Sequence, residues 1–223
     1  MLIQIYEVST PQEAKALCAL GVDHIGILVG EEGFPREQSL PAAAAIRAAV
    51  APPAKVSALF LSANLDRIAR LARALAPELL HLAAAIELMG PSDCHRLKAA
   101  LPGIALMRSI PVTGEDAVRH AQSYQGLADF LLLDSHKHGD QQIGALGVPH
   151  DWRLSARIAN TVTVPIILAG GLGPENVINA IQTVRPAGVD SKTKTDIAGT
   201  HAKDLARVAA FVRLAKSQGV KEA

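Results

Sequence analysis

One feature narrows the fold of this 223-residue chain more than any other. Short apolar runs alternate along it with Ala- and Leu-rich stretches of helical spacing. The apolar runs predict strands at Leu2–Glu7, Asp23–Val29, Lys55–Leu61, Glu78–Leu82, Ile104–Ile110, Asp129–Asp134, Pro165–Ala169 and Gly188–Ser191. Between them, helices are expected from Thr10 to Gly21 and at Pro41–Val50, Asn64–Leu75, Pro91–Leu101, Gly114–Gln125, Pro174–Val184 and Ala202–Ser217. Thr10-Pro11 offers an N-cap followed by a proline at the first helical position, and Gly21 a C-terminal stop. Strands that are apolar on both faces belong in a parallel sheet covered by helices. A doubly wound open sheet alternates in the same way. The count of eight, and the lack of an early Gly-rich dinucleotide fingerprint, favour the closed alternative. The expectation is therefore an α/β chain forming a single (β/α)₈ TIM barrel domain over residues 1–223.

Composition bounds the partners. Aromatic residues make up 3% of the chain and the formal net charge is +1, so neither a base-stacking platform nor a basic patch is implied. Nucleic acid and anionic membrane are not expected partners. Cys18 and Cys94 have no CxxC companion and read as reduced thiols rather than as a disulfide or a zinc site. The opening residues Met1–Glu7 lack a basic leader and a long apolar core. No apolar run approaches the roughly 18 residues that cross a bilayer. A cytoplasmic protein is expected.

Barrel enzymes keep their chemistry at the C-terminal ends of the strands. Two loops there stand out, Gly30–Leu40 after the second strand and His136–His150 after the sixth. The sharpest local signal is Ile167-Leu-Ala-Gly-Gly-Leu-Gly-Pro-Glu-Asn-Val177. Gly170 and Gly171 let a ligand approach backbone N–H groups closely, and in barrels the loops after strands seven and eight commonly hold phosphate. Beyond the eighth strand, Lys192-Thr-Lys-Thr-Asp196 adds hydroxyls at Thr193 and Thr195 and charge at Lys192 or Lys194. Asp134 ends the run Phe130-Leu-Leu-Leu, so a desolvated carboxyl at the barrel mouth is expected to act as a general acid. Arg36 can meet a carboxylate bidentately, although from the local sequence alone an ordinary solvated surface arginine is the stronger reading. Asp134, His136, His138 and Asp140 invite a metal reading, but their spacing lacks the distant partner of a ligand signature, so a polar loop without metal is favoured. His81 and Glu87 have no evident partner in sequence.

Taken together, the segment Leu168–Val177, Gly188-Val-Asp190, Leu132-Leu-Asp134, Asp151-Trp152, Gly26, Pro35-Arg36 and Lys203-Asp204 resemble the phosphoribosylanthranilate isomerase family over essentially the whole chain. The resemblance implies a barrel without cofactor, part of tryptophan biosynthesis. Its reaction is an Amadori rearrangement of a small phosphorylated aminoaldose to an aminoketose, performed by a monomer or homodimer. It assigns the general acid to Asp134 and the clamp on the substrate carboxylate to Arg36. Gly170, Gly171 and the loop with Thr193, Lys194 and Thr195 would hold the phosphate, and Arg108 and His136 would line the substrate site. The departures concern chemistry. Where the family has Lys-x-Cys-Gly, this chain has Gln4-Ile-Tyr-Glu7, so the thiol base is absent. Leu82-Ala-Ala84 lacks the histidine of the fourth strand, and Arg108 replaces a lysine of the fifth. The base is left to Glu7, Tyr6 or His136. A phosphorylated substrate other than phosphoribosylanthranilate, a phosphosugar-binding protein without turnover, and a metal-dependent lyase or hydrolase remain the alternatives.

Overall fold

The computed structural model describes residues 1–137, 139–144 and 146–218. Its eight strands are β1 (Leu2–Ile5), β2 (His24–Leu28), β3 (Lys55–Phe60), β4 (Leu79–Leu82), β5 (Ala105–Pro111), β6 (Phe130–Asp134), β7 (Ile166–Leu168) and β8 (Gly188–Ser191). The helices that follow them are α1 (Pro11–Ala19), α2 (Leu40–Ala48), α3 (Leu65–Leu75), α4 (Pro91–Ala100), α5 (Asp116–Ser123), α6 (Trp152–Thr161), α7 (Val177–Val184) and α8 (Leu205–Ser217). Every neighbouring pair of strands is parallel, and β1 closes on β8 with Leu2 opposite Gly188 and Ile5 opposite Ser191. The barrel expected from the alternation is the barrel observed. No described helix is long and apolar enough to cross a membrane.

The period of two along each strand builds two cores. One face of each strand, with Ile5, Ile25, Val56, Leu106, Leu131 and Leu168, packs against the helices through Leu17, Ile46, Ile68, Leu97 and Phe211. The other face fills the barrel with Leu28, Leu59, Leu79, Met107, Leu132 and Ile167. Toward the C-terminal ends of the strands this inner face becomes polar. Gln4, Ser57, His81, Ser109 and Asp190 are all buried there. Buried polar groups are costly unless paired, so an inner face that turns polar at one end marks the end where ligands bind.

Four local departures from the sequence expectation shape the site. β1 stops at Ile5 and the chain turns at Glu7, which has φ 59°. The helix α6, which the sequence did not delimit, begins at Trp152 after its N-cap Asp151 accepts from the Arg153 N–H. The start of α7 lies at Val177 rather than Pro174, because Asn176 accepts from the Gly173 N–H and donates to the Gly171 carbonyl, holding residues 171–176 in a turn. Finally, α8 begins at Leu205, capped by Asp204, and Thr193–Thr195 forms one 3₁₀ turn.

Candidate active site

The polar end of the barrel opens into a cavity of about 310 Å³. Its walls come from the ends of β1 (Tyr6, Glu7), β4 (His81), β5 (Ser109), β6 (Asp134) and β8 (Asp190, Ser191), together with Arg36, Gly170, Gly171, Lys192 and Thr193 from the loops. Residues far apart in sequence meet here because each strand delivers its last inward side chain to the same mouth.

Asp134 lies at the tip of β6. Its Oδ1 accepts from the Ser135 N–H at 2.7 Å and the Ser135 hydroxyl at 3.3 Å. Burial outweighs these bonds and pushes its pKa up to about 7. The carboxyl can therefore hold a proton near neutral pH and give it up, as a general acid must. Next to it, Gly170 has φ 85°, and a Cβ there would stand 3.3 Å from Asp134 Oδ1 and 2.8 Å from His150 Nδ1. Gly171, at φ 62°, packs so tightly under the Gly147 carbonyl that a Cβ would approach it to 2.7 Å. Among the described residues, no acceptor takes the N–H groups of Gly170 and Gly171, which lie at the cavity wall. Such a pair of backbone donors suits an oxyanion or a phosphate.

Deeper in, Tyr6 Oη lies 2.7 Å from Ser57 Oγ and 2.6 Å from His81 Nδ1, and His81 Nε2 lies 2.7 Å from Ser109 Oγ. Burial drives the Tyr6 phenol well above its ordinary range. Burial, together with the Arg108 charge, lowers His81 to about 3. The phenol stays protonated and the imidazole neutral. Gly26 makes room for this arrangement, since a Cβ there would come within 2.1 Å of the Tyr6 ring.

The opposite wall is ionic. Glu7 pairs with Arg36, whose Nη2 donates to Oε1 at 2.8 Å, and with Lys192 at 3.3 Å. Lys192 also faces Asp196 at 3.4 Å, and Asp196 accepts from Lys203 at 2.5 Å.

Of the residues singled out from the sequence, Asp134, Tyr6, Glu7, Arg36, Gly170, Gly171 and Thr193 meet at this cavity. Four others do not, and each is a correction. Arg108 alternates with the inward Met107 and Ser109, so it points to the helix layer, fully buried. Its guanidinium donates to the Leu82 and Met89 carbonyls at 2.9 and 3.1 Å and lies over the Tyr124 ring, with no group left for a substrate. Thr195 is buried in the 3₁₀ turn, donating to the Lys192 carbonyl at 3.0 Å. Lys194 points outward over Gly173, and Lys192 is the lysine that reaches the cavity. His136 Nδ1 lies 3.1 Å from the Gln142 carbonyl, away from the cavity wall. His138 falls outside the described residues. Among those described, no three His, Cys, Asp or Glu side chains gather as metal ligands would.

The sequence reading missed Asp190, Ser57 and Ser109 as site residues and left His81 without a partner. Their signal was parity: Ser57, His81 and Ser109 share the inward phase of Leu59, Leu79 and Met107, and Asp190 stands two residues on from Gly188.

Known proteins place the chain. A family model described as N-(5'-phosphoribosyl)anthranilate (PRA) isomerase matches residues 3–214. The N-(5'-phosphoribosyl)anthranilate isomerase of Methanocella arvoryzae is 32% identical over 214 residues, covering 94% of this chain and 95% of that protein. The Myxococcus xanthus enzyme of the same name is 34% identical, with 96% of each chain covered. The crystal structure of the Thermus thermophilus phosphoribosyl anthranilate isomerase superposes with a TM-score of 0.81 at 21% identity, covering 98% of this chain and all of that one, and so shares its fold. With the family model matching nearly end to end on a closed eight-stranded barrel, this chain belongs to the N-(5'-phosphoribosyl)anthranilate isomerase family.

Proposed function

We propose that the chain isomerises N-(5'-phosphoribosyl)anthranilate to the corresponding aminoketose phosphate, an internal redox rearrangement with no net gain or loss of electrons. The observation that carries this reading is Asp134, a carboxyl whose pKa burial raises to about 7, in one cavity with the Gly170 and Gly171 N–H groups, which have no acceptor among the described residues. In this reading the phosphate sits against Gly170, Gly171 and Thr193, with Lys192 supplying charge. Asp134 protonates the ring oxygen as the sugar opens. Arg36 faces the carboxylate of the anthranilate ring, for which Glu7 is the resident competitor. The relatives named for this reaction support the substrate. Expression in a tryptophan auxotroph that lacks the isomerase tests it. Growth without tryptophan is expected, and no growth despite folded protein contradicts the reading.

A further inference from the structure

An aldose-to-ketose rearrangement needs a second proton transfer, from carbon 2 of the sugar. Six side chains at the cavity wall can exchange protons: Tyr6, Glu7, His81, Asp134, Asp190 and Lys192. Asp134 is committed to the ring oxygen. Tyr6 and His81 are saturated by each other and by Ser57 and Ser109. Glu7 is held between the Arg36 and Lys192 cations, and Lys192 between Glu7 and Asp196.

Asp190 is differently placed. It sits on β8 opposite Gln4 of β1, so it neighbours the strand whose end carries Tyr6 and Glu7. Gln4 Nε2 donates to its Oδ1 at 3.2 Å. His24 Nδ1 lies 3.1 Å from Gln4 Oε1, which fixes the amide with its NH₂ toward Asp190. Among the described residues no donor holds Oδ2, and Asp190 lines the cavity. The charged and titratable groups around it are Asp134 from β6, Tyr6 and Glu7 from the end of β1, and Lys203 from the segment before α8.

We propose that Asp190 is the general base that removes the substrate's C2 proton, with Gln4, braced by His24, as the residue that positions it. The proposal rests on the isomerase reading above. Asp134 gives its proton to the ring oxygen as the C1–O bond breaks, leaving a C1=N iminium. The C2–H bond then breaks. Its proton goes to Asp190 Oδ2, its electron pair forms the C1=C2 bond, and the C=N pair returns to nitrogen. The resulting enolamine becomes the aminoketose when a proton moves from the C2 oxygen to C1. The two carboxyls hold one proton before the sequence, on Asp134, and one after it, on Asp190; at the iminium both are ionised beside the cationic nitrogen, and the proton returns from Asp190 to Asp134 before the next turnover. Burial and the Asp134 charge raise Asp190 above the carboxylate range, which favours its taking a proton once Asp134 is ionised.

The test uses the intact chain and phosphoribosylanthranilate formed from anthranilate and ribose 5-phosphate, with and without deuterium at C2. Asp190→Asn should lower kcat by about 10²–10⁴-fold with KM little changed, and Asp190→Glu should recover part of the loss. Gln4→Leu removes a donor that favours the ionised form, so the acidic limb of its kcat profile should move to higher pH. An Asp190→Asn variant within about tenfold of the wild-type kcat overturns the proposal. A slow variant whose C2 isotope effect falls below the wild-type value also overturns it, because a step other than C2–H cleavage would then have been slowed. Where Asp190→Asn does not fold, the Gln4→Leu profile decides: no shift of the limb overturns the proposal. A folded wild type without turnover overturns the isomerase reading, and this proposal with it.

Discussion

At the scale of single residues, the chemistry concentrates on Asp134. Its folded pKa of about 7 lies above the ordinary 3.8, so between those values the folded state binds more protons than the unfolded one. Stability from this group is complete below pH 4 and is lost as pH rises through 7. Asp134→Asn abolishes that titration. The variant should gain stability relative to the wild type, from little difference at pH 4 to roughly 1–4 kcal/mol at pH 8. Thermal melts across that range check it, and a difference independent of pH would contradict the burial of the carboxyl. The position of Asp134 was legible because it ends a five-residue apolar strand, where an inward side chain can only emerge at the mouth. Arg108 was misread for the complementary reason. Likeness to a lysine in a relative says nothing about which face a side chain takes, whereas its neighbours Met107 and Ser109 do. The polar cluster of Tyr6, Ser57, His81 and Ser109 was hidden because its members lie on β3, β4 and β5 and at the end of β1, with Tyr6 and His81 separated by 75 residues.

At the scale of elements, Glu7 ties three of them together. It ends the segment after β1, receives Arg36 from the loop after β2, and meets Lys192 from the loop after β8. The backbone at φ 59° carries a strain that glycine would not feel. Glu7→Gly removes the strain and leaves Arg36 free to meet a ligand carboxylate. We expect KM for phosphoribosylanthranilate to fall by about tenfold, equivalent to about 1.4 kcal/mol, on the scale of one charge-assisted hydrogen bond. KM for the N-glycoside of aniline, which has no carboxylate, should stay near the wild-type value. Equal changes for both compounds would separate Glu7 from carboxylate recognition. The strands and most helices were legible at this scale, since periodicity and caps such as Thr10 and Asn64 are written locally. The start of α7 was not. Pro174 is a good first helical residue, but the Asn176 side chain claims the Gly173 N–H and Gly171 carbonyl and delays the helix by a turn.

At the scale of the whole molecule, closure of β1 on β8 brings Glu7, Asp134, Gly170 and Asp190 around one opening. An open sheet would leave β1 and β8 apart. The eightfold alternation is what made the barrel readable, and the barrel is what makes the late glycines and the strand-six carboxyl parts of one site. The most direct test of this account is turnover of phosphoribosylanthranilate by wild type and Asp134→Asn, followed as the C2 ketone carbon appears by ¹³C NMR. The account predicts conversion by the wild type and a loss of about 10²–10⁴-fold in kcat for a variant that still binds inorganic phosphate. An unchanged substrate with folded wild type, or an Asp134→Asn variant as fast as the wild type, would contradict it.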